Sequence, residues 1–207
     1  MTNPLLADWN TPFQIPPFET FQPEHFKPAF EAAIDAHKAE IEAIASNADA
    51  PTFENTIVAL EQAGDLLDRV ARVFFQLAGC NTNDALQDVE RWVAPVLSKH
   101  GSEVNMNPAL FQRVDALYQA REALDLNAEA QRVLRLYHES FVRSGARLEG
   151  DDKTRMATIM ERLATLGAGF GQNILKDEKD WELKLEGDDA LAGLPDCLIA
   201  ASAEAAR

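Results

Sequence analysis

The pair His138–Glu139 is the first place in this sequence to look for chemistry. In an H-E-x-x-H helix, two imidazoles one turn apart hold a zinc ion and the glutamate between them acts as a base. Here the five residues are His138, Glu139, Ser140, Phe141 and Val142, so a valine stands where the second ligand is required. The motif fails. The remaining histidines are His25, His37 and His100, and no two of the four are three or four residues apart. His37 and His100 fall on apolar stripes of their segments. Their expected role is that of core or boundary histidines satisfied by a hydrogen bond, rather than metal ligands. A proton-sensitive role for them has no second supporting feature in the sequence.

Other constellations lead no further. Carboxylate pairs such as Glu40 with Glu42, Asp65 with Asp68, and Asp151 with Asp152 are what any acidic helical protein supplies. Acid–base work would need a pKa perturbed by its surroundings, and the expected reading is solvated faces. There is no G-x-S-x-G elbow, and neither Cys80 nor Cys197 has a neighbouring sequence that suggests activation. Gly167-Ala168-Gly169-Phe170-Gly171 has the look of a phosphate loop but lacks the terminal Lys-Ser/Thr and a preceding strand. Close helix packing or a bend is expected there instead. The sequence thus offers no catalytic, cofactor-binding or metal-ligating residue.

The elements that would position any such residues are helices. Phe26, Phe30, Ile34, His37, Ile41 and Ile44 recur every three or four residues and predict a helix over Pro23–Ser46. A second follows Pro51 with Thr52 as its cap, and runs through Phe53, Ile57, Leu60, Leu67, Val70, Phe74 and Leu77 to a stop at Gly79. Gly64 lies in that seam, where a small residue would let another helix approach. Asn83, Asn107 and Asn127 each open a further helix, the second reinforced by Pro108 at its first position. A sixth is predicted from Asp151 to Lys176, with Met156, Ile159, Leu163, Leu166, Phe170 and Ile174 on one stripe.

The pattern changes after Lys179. Trp181, Leu183 and Leu185 alternate with charged residues, which is strand periodicity, and Gly187 to Asp189 mark a turn. Pro195 then opens an alanine-rich helix that stops at Arg207 without a cap and looks truncated. At the other end, the prolines and aromatics of residues 1–22 predict an extended arm whose aromatics pack on the body. The expected fold class is therefore all-α: a multi-helix bundle or layered array of about six to seven helices, with one short extended segment near 180–186. The expected organisation is an arm at 1–22, a helical domain at 23–178, and a tail at 179–207.

Bulk properties set limits. At 207 residues the chain suits one domain and can bury about 70% of its unfolded surface. The 34 acidic residues outnumber the 19 basic ones, for a net charge of -15, which disfavours nucleic acid and anionic membranes as partners. Two cysteines far apart imply no disulfide framework. With no basic n-region and apolar run at the start, and no stretch approaching the ~20 apolar residues needed to span a bilayer, a cytoplasmic protein is expected.

Several segments taken in order resemble the amino-terminal region of the M3 family of zinc oligopeptidases. This is the thimet oligopeptidase-like group, which includes oligopeptidase A and the peptidyl-dipeptidases. They are Asn3-Pro4-Leu5-Leu6, Pro23-Glu24-His25-Phe26-Lys27-Pro28-Ala29-Phe30, and Ala50-Pro51-Thr52-Phe53-Glu54-Asn55-Thr56-Ile57 followed by Ala59-Leu60-Glu61. His138, Phe141, Gly145, Ala146 and Leu148 fit the family's fifth-helix pattern, and Leu191-Ala192-Gly193-Leu194-Pro195 the link before the next helix. The resemblance implies a mostly helical protein roughly three times this length. Its amino-terminal part would face a catalytic part across a channel that admits short peptides. Zinc would be held in that later part by H-E-x-x-H and a downstream glutamate, with the metal-bound water attacking the peptide bond. None of those positions exists in this sequence, so no site residue carries over.

Two readings remain open at this point. In one, the chain is the amino-terminal helical part of an M3-like oligopeptidase or peptidyl-dipeptidase, inactive alone and partnered by its own catalytic domain. In the other, it is a stand-alone helical interaction module without catalytic activity. A helical bundle holding a metal or cofactor in its core is a third, weaker option. A fragment would leave apolar surface uncovered, so self-association is expected.

Overall fold

The apolar stripe of the first helix organises everything that packs around it. A computed structural model describes residues 3–205, and every regular element among them is helical. The chain divides into two compact units, Met1–Phe170 and Gly171–Arg207.

Helix α1, Pro23–Ala45, begins with proline in its first turn and tolerates Pro28 one turn later. Its stripe serves two cores in succession. Phe26, Ala29, Phe30 and Ala33 enter the first, with Val70, Val73 and Phe74 of α3 (Asp65–Cys80) and Leu86, Val89 and Val93 of α4 (Asp84–Asn105). Phe74 is the hub: its ring meets Phe26 at 5.1 Å and Phe30 at 5.5 Å, both edge to face. Ile41 and Ile44, further along α1, enter the second core. It also holds Leu110, Val114 and Leu117 of α5 (Pro108–Ala120), Leu134 and Phe141 of α6 (Ala128–Arg143), and Ile57.

Helix starts follow the predicted chemistry. The side chains of Asn83, Asn107 and Asn127 accept from the amides of Leu86, Leu110 and Ala130 at 2.9, 3.1 and 2.8 Å. Each such cap satisfies an orphan donor and is worth about 1 kcal/mol. Thr52 does the same for the Asn55 amide at 3.0 Å.

The segment after Thr52 is not one helix. It opens with a π-helical turn, Phe53–Val58, continues as the short α2, Ala59–Gln62, and breaks at Gly64 before α3. Gly64 has φ +85°, a left-handed conformation that an L side chain resists. The glycine expected as a packing notch is therefore a hinge of the backbone, although the His37 ring does lie against it.

Three further expectations meet a different outcome. Helix α7, Gly150–Asp180, forms over the predicted stretch, but none of its residues is buried. Ile159, Leu163, Leu166, Phe170 and Ile174 are all exposed, Phe170 to 68%. Met156 at the start of the stripe is half-buried, and the exposed part of the face begins at Ile159. Nothing stands within van der Waals reach of a Cβ placed at Gly167, Gly169 or Gly171, so these glycines serve no close packing. Residues 181–186 form no strand; Trp181, Leu183 and Leu185 are exposed, as an alternating segment with no ladder partner must be. Beyond them, α8 (Asp188–Leu191) occupies the predicted turn and α9 (Asp196–Ala205) the predicted last helix.

The arm ahead of α1 divides its aromatics. Leu5 and Phe21 are buried in the first core and Trp9 packs against it. The Arg69 guanidinium pins this stretch, donating to the Leu5 carbonyl at 3.1 Å and lying 4.9 Å from the Trp9 ring. Phe13, in a short 3-10 turn at Pro12–Gln14, is almost fully exposed, and Phe18, at the start of a second at Phe18–Thr20, partly so.

Candidate functional site

Each histidine has a structural partner. His25 completes the start of α1, its Nδ1 accepting from the Gln22 amide at 3.1 Å. His37 and His100 meet directly, Nδ1 to Nε2, at 2.9 Å. His138 is buried on α6 and shares a hydrogen bond with the Asp115 carboxylate of α5 at 2.9 Å. Its ring lies flat on Tyr118, with centroids 3.8 Å apart and planes 5° from parallel.

The Asp115–His138 contact is the nearest thing to a catalytic arrangement in the chain. Burial alone would raise the Asp115 carboxyl. The hydrogen bonds from His138 and Gln119, together with the charges of His138 and Arg147, outweigh it and hold the group below the ordinary carboxylate range. A carboxylate that orients an imidazole is one part of a nucleophilic triad. The other part is missing: the 220 Å³ recess beside the ring is lined by Tyr118, His138, Glu139, Val142, Arg143 and Arg147, with no serine, threonine or cysteine. The arrangement ties α5 to α6, and Val142 lines the recess where a zinc helix would have carried its second histidine.

The carboxylate pairs likewise separate into structural and solvated members. Glu40 accepts from the Gly64 amide at 2.7 Å, fixing the backbone hinge to α1. Asp68 pairs with Arg72 at 2.6 Å on the exposed face of α3. Glu42, Asp65, Asp151 and Asp152 are exposed. Burial and a hydrogen bond to Glu61 raise the Tyr137 hydroxyl well above its usual range, so it stays protonated. Cys80 and Cys197 are free and exposed. Among the described residues, no three His, Cys, Asp or Glu side chains are grouped so as to hold a metal ion.

Arg113, which no motif marks, and Asn55 of the Ala50–Ile57 segment form an architectural centre. Arg113, buried on α5, donates to the carbonyls of Asn47 and Asp49 at 2.8 and 3.0 Å and to Asn55 Oδ1 at 2.9 Å. That same Asn55 oxygen accepts from the Thr52 amide and the Thr56 hydroxyl, while its Nδ2 donates to the Ala50 carbonyl. The Pro51–Ile57 stretch is therefore a folding device: a cap, a polar hub and two fully buried residues, Thr56 and Ile57. The signal was present in its cap and asparagine spacing, but Arg113 lies 58 residues away and left no local trace.

A groove of 570 Å³ is lined by Lys99, Ser102, Glu103, Met106, Asn107, Lys153, Thr154 and Glu161, among others. Lys153 closes one end by donating to the Met106 carbonyl at 2.6 Å. Its charges are of both signs, and no nucleophile–base pair faces it.

No family model matches the chain. Individual proteins do. The dipeptidyl carboxypeptidases of Escherichia coli (strain K12) and Salmonella typhimurium are each 39% identical, over 205 and 206 residues. These matches cover 99% and 100% of this chain but 30% of each relative. Oligopeptidase A of Escherichia coli (strain K12) is 27% identical over 202 residues, 98% of this chain and 29% of that protein. The chain is a homologue of the amino-terminal region of M3-family peptidases. It spans about 30% of the length of these relatives. Of the segments that carry the resemblance in the sequence, Pro51–Ile57 builds a helix start, and His138 and Phe141 pack α6 against α5.

Proposed function

We propose that this chain is the amino-terminal helical part of a zinc-dependent oligopeptidase, where it walls the substrate channel and performs no hydrolysis itself. The observation that carries this reading is the extent of the match: 99% of this chain against 30% of a dipeptidyl carboxypeptidase. The internal architecture agrees with it, because His37 with His100 and His138 with Asp115 link helices, and His25 completes the start of α1.

On this reading the zinc site belongs to the remaining part of the protein; among the described residues no three His, Cys, Asp or Glu side chains are grouped to hold a metal ion. The partners are that catalytic part and, for the whole enzyme, short peptides. The proposal places the enzyme in the cytoplasm. Among the described residues no helix is long and apolar enough to cross a membrane. The direct test is the gene: an open frame that continues past codon 207 to an H-E-x-x-H sequence supports the proposal, and a stop codon there contradicts it.

One observation favours the alternative of a stand-alone helical interaction module. The first unit holds two cores of its own, built on α1 with α3 and α4 and on α1 with α5 and α6, as a module that folds by itself would. The same reading of the gene separates the two.

A further inference from the structure

The two cores of the first unit meet at a polar seam. Along α1, Ile34 precedes and Ile41 follows a single titratable side chain on the buried stripe, His37. Earlier on the helix, Phe26, Ala29, Phe30 and Ala33 feed the core shared with α3 and α4, and beyond His37 the residues Ile41 and Ile44 feed the core shared with α5 and α6. His100 holds the corresponding place on α4, after Val93 of the first core and before Val104, which packs on the second. Gly64, the break between α2 and α3, lies at the same level. A Cβ built there would stand 3.3 Å from His37 Cε1 and Nε2. Three elements thus cross at one imidazole pair.

We propose that the His37–His100 bond is a proton-sensitive clasp between the two cores, closed when the pair carries at most one proton beyond neutrality and opened by a second. The contact is a 2.9 Å Nδ1–Nε2 hydrogen bond between rings 4.9 Å apart, edge to face. One ring must donate and the other accept, so at least one must be neutral. If both rings are charged, two N–H groups point at each other. His100 Nδ1 adds a second penalty: it is buried with no hydrogen-bond partner, so a fully protonated ring places an unsatisfied N–H there.

The surroundings bear on the same balance. On α1 the pair is faced by Lys38 and Glu40, and on α4 by Glu103; Gly64 brings only its backbone, and the neighbouring Asp65 is exposed. Lys38 and Glu103 are themselves paired at 2.8 Å, and Glu40 is engaged by the Gly64 amide. Burial lowers both rings from the ordinary histidine value, His37 against the pull of Glu40 and His100 with the added repulsion of His37 and Lys38. The sign follows. The unfolded chain takes up these protons first, so the stability supplied by the pair is complete above the ordinary value of 6.5. It is lost as pH falls from there through the lowered folded values.

The test is a ring-resonance NMR titration of the 207-residue chain from pH 8 to 4.5, with thermal melts of the same protein and of H37N/H100Q. The proposal expects the two rings to titrate as a coupled pair, with the second proton taken up well below the ordinary histidine range. Amides of α1 near residues 34–41 and of α4 near 96–104 should shift with that second proton, while those around Phe74 and Leu134 hold. The fall in melting temperature between pH 7.5 and pH 5 should be much smaller in H37N/H100Q, which keeps His25 and His138. Independent titration of both rings near 6.5 would overturn the proposal, and that readout needs no variant to fold. An unchanged pH dependence in a folded H37N/H100Q would overturn it equally.

Discussion

At the scale of single residues, the chain uses side chains with chemical potential as structural fasteners. Arg113 shows this most clearly, since one guanidinium satisfies two loop carbonyls and the Asn55 side chain. Replacing it leaves those acceptors without their donor in a largely buried setting. Arg113→Ala is expected to cost about 3 kcal/mol, from hydrogen bonds to a charged donor worth about 1.5–3 kcal/mol together with lost packing of the stem. Urea unfolding of the variant measures it, and a change under about 1 kcal/mol would mean that water replaces the guanidinium there. Sequence reading reached the histidines one at a time and assigned His37 and His100 correctly to satisfied boundary positions. It could not find that they satisfy each other, because 63 residues separate them and no local pattern encodes a contact at that range.

At the scale of elements, the starts of helices were the most legible feature. A cap is a local chemical event: Thr52, Asn83, Asn107 and Asn127 each bond an amide three residues on. The break at Gly64 was less legible, since its apolar neighbours kept helical spacing across it. The left-handed backbone and the His37 ring against it make a definite demand. Gly64→Ala is expected to destabilise the chain by about 1–2 kcal/mol from the positive φ, plus the cost of displacing the ring. An unchanged urea midpoint would show that the α2–α3 junction relaxes without penalty. The stripe of α7 taught the opposite lesson, because periodicity reports that a helix has an apolar face and is silent on whether that face is covered. Exposed Leu163, Leu166 and Phe170 should drive self-association of the isolated chain. Light scattering at rising concentration should show oligomers that L163E/F170E reduces; a wild-type monomer throughout would refute the expectation.

At the scale of the whole molecule, fold class was readable because helical periodicity and caps persist through most of the chain. Function was readable only as lineage. The segments that resemble the family in this region make caps and helix contacts in the structure. The four histidines all make hydrogen bonds within the chain, and these are the bonds that the proposed supporting role would use. The central claim is therefore that hydrolysis belongs to the portion of the protein beyond these residues. The measurement that bears on it most directly is cleavage of a short fluorogenic peptide by the purified 207-residue chain, with and without added zinc and a chelator. The account predicts no turnover above buffer under any of these conditions. Chelator-sensitive cleavage by this chain alone would contradict it.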